Sequence, residues 1–231
     1  MIHIENLSKR YGQNVVLHID GLEIAEGESF GLVGNNGAGK TTLFSLLLDL
    51  IQPTTGHVTS NGINVSQSED WKHFTSAFLD ESFLIGYLTP TEYFKFIADL
   101  RGVSPTDLEV FLQPFAPFFN DEILDNSKYI RDLSKGNQKK VGIAGAFIGS
   151  PKVVILDEPF ANLDPTTQIR LKNLLKDFAK QKNTTMLISS HDLQHTVEVS
   201  NRIVALQKGQ VVKDIQTDEN TMSELENLFA V

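Results

Sequence analysis

Eight consecutive residues, Gly34-Asn35-Asn36-Gly37-Ala38-Gly39-Lys40-Thr41, satisfy the pattern G-x-x-x-x-G-K-[ST] at every fixed position. The chemistry this points to is phosphate binding. A glycine-rich turn lets successive backbone N–H groups face one point, where an anion approaches without meeting a Cβ. Lys40 adds a cation, Thr41 a hydroxyl for a hard metal ion, and Thr42 continues the turn that faces the phosphates. A second group lies far downstream, where Val153-Val154-Ile155-Leu156 is followed by Asp157-Glu158 and Pro159. Adjacent acids at the C-terminal end of an apolar strand can do two jobs. Asp157 would hold magnesium directly or through water together with Thr41, since a hard cation takes oxygen ligands, and Glu158 would polarise an attacking water. The duller reading, a solvated turn, fits poorly behind four apolar residues.

These groups need elements to hold them. Phe30 to Val33 reads as a strand that delivers the loop, and Leu43, Leu46, Leu47 and Leu50 recur at helical spacing after it. The loop therefore opens a helix whose free N–H groups and positive dipole end face the anion. Along the rest of the chain short β-type runs alternate with helical segments. The fold class expected is α/β, a mostly parallel sheet core of the phosphate-loop NTPase type. The start differs: Ile2 to Leu7, Val15 to Ile24 and Phe30 to Val33 are separated by Gly12, Gly21 and Gly27 with no room for crossover helices, which predicts an N-terminal antiparallel β flank. Residues 81–150 carry helical signals almost throughout, with helix starts at Thr89-Pro90-Thr91-Glu92 and Ser104-Pro105-Thr106-Asp107. The reading is one domain over residues 1–231, in which 1–80 and 151–231 form the core and flank and 81–150 an inserted helical subdomain. Phe94, Phe96, Phe111, Phe115, Phe118 and Phe119 fall in that insert and read as a small aromatic core. Downstream, Pro165 to Lys180 is expected as a helix, Thr184 to Ser189 as a strand and Thr221 onward as a short capped helix.

Composition narrows the partners. A formal net charge of −9 argues against a nucleic-acid backbone as partner, because such binders carry a basic surplus or stripe. With no cysteine there is neither a disulfide framework nor a thiolate metal site. The N-terminal Met1-Ile2-His3-Ile4-Glu5 lacks the basic and apolar stretches of a signal peptide, and no apolar run reaches the length of a membrane span. Any link to a membrane is expected to run through a partner.

Between the phosphate loop and the acid pair lies Leu133-Ser134-Lys135-Gly136-Asn137-Gln138, opening a segment with Val141, Ala144, Phe147 and Ile148 at helical spacing. With the acid pair, Asn162-Leu163-Asp164 and His191, this fragment makes nearly the whole chain resemble the ATP-binding cassette family, the ATPases that drive ABC transporters. The guanine-reading Asn-Lys-x-Asp string of GTPases is absent. The resemblance implies ATP and Mg2+ as the bound groups. It implies that Tyr11 stacks on adenine, that Ser134 and Gly136 form the signature loop, that Asp164 contacts a second subunit, and that His191 meets the γ-phosphate. Each has a plainer alternative: Tyr11 as a strand-edge core aromatic, Ser134 as a helix cap, and His191 as a helix-start residue bonded to Asp192.

Two positions depart from the family pattern. The common signature reads Leu-Ser-Gly-Gly-Gln, whereas this chain carries Lys135 and Asn137 at its third and fifth positions. Asp80 stands where a glutamine is expected, with Glu81 beside it, and a carboxylate at Asp80 is expected to ligate magnesium. The family's mechanism implies a head-to-tail dimer of two nucleotide-binding subunits, expected to be identical, around two ATP molecules. It also implies docking on a separate transmembrane permease, which would place the chain at the cytoplasmic face of the membrane. The altered signature and the acid at Asp80 resemble cassettes of small two-component exporters, so export is the direction expected. A soluble cassette outside transport, such as a cluster-assembly ATPase, is the alternative.

Overall fold

The computed structural model describes residues 1–124, 127–181 and 184–230. Its first strands, β1 (Ile2–Tyr11) and β2 (Asn14–Ile24), pair antiparallel across a tight turn at Gly12. Buried residues such as Ile2, Ile4 and Leu7 on β1 face Leu17, Ile19 and Leu22 on β2, so one face of this pair turns inward and the other meets water. The strand order of this sheet is β2-β1-β4-β5, completed by β4 (Thr55–Ser60) and β5 (Ile63–Asn64).

The third predicted strand does not join this flank. All five residues of β3 (Ser29–Val33) are buried, and β3 lies in a second sheet, parallel to both of its neighbours. A strand apolar on both faces needs cover on both sides, which the half-exposed flank cannot provide and a parallel sheet between helices can. Gly21, expected as a separator, sits inside β2 opposite Glu5.

The second sheet is built on β6 (Thr75–Phe78), β7 (Val153–Asp157), β8 (Thr185–Ser190), β9 (Arg202–Gln207) and β10 (Gln210–Gln216), in the order β10-β9-β3-β8-β7-β6. Only β10 runs antiparallel to its neighbour. The strand residues alternate between two cores. Val153, Ile155 and Leu187 pack with the flank and with α1 (Lys40–Leu47), whereas Val154, Leu156, Met186 and Ile188 pack with the helices of the insert. Helix α1 stops at Leu47, so Leu50 is half exposed beyond it and takes no part in the apolar face its spacing suggested.

The insert contains α2 (Pro90–Arg101), α3 (Pro105–Leu112), α4 (Ala116–Phe119) and α5 (Lys135–Phe147). Thr89 and Glu92 close a reciprocal capping box on α2, and Ser104 caps α3 by accepting from the Asp107 N–H. Phe94, Phe115, Phe118 and Phe119 are buried, while Phe96 is exposed. Phe115 and Phe119 stack at 5.7 Å, and the cluster continues through Phe147 to Phe178 on α6 (Pro165–Gln181), stacked at 4.3 Å. The insert thus shares one core with the sheet. Helix α5 is the bridge, buried from Gln138 to Phe147 and running from the insert onto β6 and β7. The chain ends with α7 (Leu193–Val199), which packs beneath β3, and α8 (Thr221–Phe229), whose first turn Asp218 caps through the Asn220 and Thr221 N–H groups.

Candidate active site

The phosphate loop spans the six residues between β3 and α1. Gly39 closes it at φ 108°, a conformation that side-chain-bearing residues rarely adopt, and no side chain caps the helix it opens. The first-turn N–H groups of α1 are therefore open to an anion, with the helix dipole behind them. The loop is braced from the rear. Gly209, in the β9–β10 turn, donates its N–H to the Ala38 carbonyl at 2.9 Å and accepts from the His18 N–H at 2.7 Å. That crossing is close enough that a Cβ on Gly209 would lie 2.4 Å from the Val16 carbonyl oxygen. Asn35, Asn36 and Gly37 form the exposed rim, Thr42 is half-buried in the first turn, and Ala38 is buried against the core. Lys40 is 7% exposed, donates to the Gly34 carbonyl at 2.7 Å, and lies 3.4 Å from Glu158 Oε1.

Strand β7 brings the two acids to the same point. Thr41 Oγ1 donates to Asp157 Oδ2 at 2.5 Å, and Ser189 Oγ donates to Asp157 Oδ1. Burial pushes the Asp157 carboxyl above the usual aspartate range, and the two hydroxyl hydrogen bonds pull the other way. A buried carboxylate beside a hydroxyl suits a hard divalent cation, and among the described residues no three His, Cys, Asp or Glu side chains are placed to hold a metal ion by themselves. That donor set matches magnesium, which takes one or two protein oxygens and fills its remaining positions with water and substrate phosphate.

Glu158 has φ 49°, a left-handed backbone on a residue with a side chain, at a cost of roughly 1–3 kcal/mol. The turn is held at both ends. The Glu158 N–H donates to the Ser189 carbonyl at 3.2 Å and to Ser189 Oγ at 3.1 Å, and its carbonyl accepts from Lys139 Nζ at 2.8 Å. The twist aims the carboxylate between its partners: Oε1 faces Lys40, and Oε2 meets His191 Nδ1 at 2.8 Å and accepts from Ser190 Oγ at 3.4 Å. His191 is thus bonded to Glu158, while Asp192 caps α7 by accepting from the His195 N–H at 3.2 Å. Ser189, Ser190 and Lys139 were not singled out in the sequence. The available signal was a pair of serines ending an apolar strand next to a histidine.

The remaining residues lie apart from this cluster. Tyr11 is 57% exposed at the end of β1, with Lys9 Nζ 4.9 Å from its ring centre, and belongs to neither core. Ser134 caps α5 through the Asn137 N–H at 3.2 Å, and Gly136 backs onto the Asn162 carbonyl. Asp164 caps α6 through Thr167, whose N–H and hydroxyl hold its carboxyl below the usual range. Ser134 and Asp164 are exposed, and among the described residues no hydrogen bond or ion pair joins them or Tyr11 to the phosphate loop. Asp80 is also exposed. Its carboxylate accepts from the Ser82 N–H at 2.6 Å, capping a single 3-10 turn at Glu81–Phe83, and among the described residues it makes no hydrogen bond with Thr41 or Asp157. The acid of this segment that turns inward is Glu81, whose Oε1 lies 3.8 Å from Lys139 Nζ.

Residues 17–161 match the ABC transporter family. The bacitracin transport ATP-binding protein BcrA of Enterococcus faecalis is 31% identical over 95% of this chain and 70% of its own length. The phosphonates import ATP-binding protein PhnC of Wolinella succinogenes is 31% identical over 97% of this chain and 88% of its own. A solved ATP-binding subunit of an ABC transporter superposes at a TM-score of 0.84 with 27% identity, covering 100% of this chain and 93% of that one. The chain belongs to the ABC transporter family, as one of its ATP-binding ATPase subunits.

Proposed function

We propose that two copies of this subunit close head to tail on two ATP molecules and that their hydrolysis drives a separate permease. The observation that carries this reading is the division of the site. Each chain gathers Lys40, Thr41, Asp157, Glu158 and His191 around one phosphate loop, while Ser134, Gly136 and Asp164 stand apart from it, two of them on the surface. A triphosphate held by the loop of one copy would be capped by the N-terminus of α5 from the other, with Ser134 and Gly136 against its γ-phosphate. Asp164 would meet the facing copy, and Tyr11, exposed ahead of the loop, would stack on adenine.

On binding, Lys40 exchanges the Gly34 carbonyl and Glu158 for phosphate oxygens. Glu158, released from Lys40 and steadied by His191, orients the attacking water and accepts its proton. Thr41 and Asp157 would hold magnesium, which when bound neutralises charge on the phosphoryl oxygens. Asp80, retained by its capping bond, would reach a metal only if that turn opened.

Among the described residues no helix is long and apolar enough to cross a membrane, so contact with one would run through the permease, at the cytoplasmic face. Export is the direction we propose, on the altered signature at Lys135 and Asn137 and the acids at Asp80 and Glu81. The relatives' names do not choose between directions. ATP-driven cargo uptake by everted vesicles holding the chain and its permease would support export; uptake by right-side-out vesicles alone would reverse it. The central reading is tested with Glu158→Gln. Turnover should drop about 100-fold or more, and the variant should sediment as a dimer with ATP and a monomer without it. Parental turnover, or no dimer at saturating ATP, would contradict it.

A further inference from the structure

Lys139 has no part in the chemistry described so far, yet it is 6% exposed and carries an ammonium into the interior. A buried ammonium is costly unless it is paired and hydrogen-bonded. Burial lowers its pKa, and Glu81, then Glu158, Asp157 and Asp80, oppose that shift. Its geometry is specific. Nζ donates to the backbone carbonyl of Glu158 at 2.8 Å and lies 3.8 Å from Glu81 Oε1. That Glu81 oxygen is itself buried and makes no hydrogen bond, so Lys139 is the charge it faces.

The three residues come from three elements. Lys139 lies on α5, four residues into the helix that Ser134 opens. Glu81 begins the 3-10 turn at Glu81–Phe83, where the chain leaves β6 for the helical insert. Glu158 follows β7 in a left-handed turn whose N–H is anchored to Ser189 and whose carbonyl accepts from Lys139 Nζ at 2.8 Å and, at the longer distance of 3.2 Å, from the Ala161 N–H. A strained turn persists only when its surroundings fix it. Without the shorter, charged donor the carbonyl is held by the Ala161 N–H alone, so the turn is less tightly fixed and the carboxylate can drift from the line between Lys40 and His191.

We propose that Lys139 is a positioning residue for hydrolysis: it fixes the Glu158 turn through the backbone carbonyl and is itself held by Glu81 at the exit to the helical insert. The placement of Glu158 is thereby coupled to the position of the insert, because a shift of either Glu81 or α5 moves the ammonium. The inference rests on the reading of Glu158 as the water-orienting group.

The test is steady-state ATPase kinetics with nucleotide affinity measured on the same proteins. Misplacement of a catalytic group is worth an order of magnitude or more, so Lys139→Met should lower kcat about tenfold while KM and affinity for ATP stay at the parental level. Lys139→Gln, which keeps a donor for the carbonyl, should recover kcat to within about threefold of the parent. Glu81→Gln should lower kcat about threefold, and the pair Lys139→Met with Glu81→Gln should be no slower than Lys139→Met alone, since coupled residues are not additive. Should Lys139→Met fail to fold, Lys139→Gln and Glu81→Gln carry the test. Parental kcat in Lys139→Met, or in Glu81→Gln, would overturn the proposal. So would equal losses of kcat and nucleotide affinity in both Lys139 variants, which would mark a purely structural lysine. Glu158→Gln is assayed in parallel: if it turns over normally, the assignment of Glu158 fails, and if it is inactive while Lys139→Met keeps the parental kcat, only the present inference fails.

Discussion

At the scale of single residues, the site depends on groups that orient other groups. Ser189 shows this most plainly. Its hydroxyl donates to Asp157 and lies 3.1 Å from the Glu158 N–H, so one buried side chain fixes both acids. Removing such an outer partner typically weakens a metal site by about 10- to 100-fold. Ser189→Ala should therefore raise the magnesium concentration for half-maximal ATPase activity about tenfold; an unchanged magnesium dependence would remove Ser189 from this role. Asp157 makes a second prediction. Its folded-state pKa is raised by burial, so the fold favours the neutral form, and stability is lost as pH rises through that folded value. At neutral pH without metal the carboxylate is a destabilising charge. Asp157→Asn should accordingly melt higher than the parent in EDTA and lose the stabilisation the parent gains from magnesium and ATP. A lower melting temperature in EDTA would contradict the sign of the shift.

At the scale of elements, what was legible in the chain and what was not separate by sequence distance. The caps at Thr89, Ser104 and Ser134 involve partners three residues away, and the glycine-rich loop carries its own backbone demands, so local reading found them. The partners of β3 are set by segments far along the chain, Met186 to Ser190 and Arg202 to Ala205, and no local pattern reveals them. The same holds for the link between Lys139 and Glu158 and for the choice of Glu81 over Asp80 as the inward acid. Those outcomes follow from which face of a turn meets helix α5, and α5 is placed by the aromatic core it shares with the sheet. The β9–β10 turn is a further part invisible in sequence, although it braces the loop through Gly209. With a positive φ of 78° and the Val16 carbonyl 2.4 Å from any added Cβ, Gly209→Ala should destabilise the fold by about 1–3 kcal/mol and weaken ATP binding. Thermal melts and a nucleotide titration check both effects. Full affinity in a destabilised variant would show that the brace supports the fold and not the site.

For the whole molecule, the candidate site residues are divided between separate surfaces. One surface carries the open N-terminus of α1 with Lys40, Asp157, Glu158 and His191, and elsewhere the caps Ser134 and Asp164 are exposed without a partner in their own phosphate loop. In the head-to-tail pair we propose, both surfaces would be used twice, and the insert, joined to the sheet through α5, would transmit closure to whatever docks on it. The central claim, that one chain's loop works with another chain's signature residues, is tested most directly by complementation. A Lys40→Ala copy and a Ser134→Arg copy should each be inactive alone. Mixed, they form some pairs in which one site joins an intact loop to an intact signature, so ATPase activity should reappear as the second copy is titrated in. If every mixture stays as inactive as the separate variants, or if Ser134→Arg alone hydrolyses ATP at the parental rate, the composite site is contradicted.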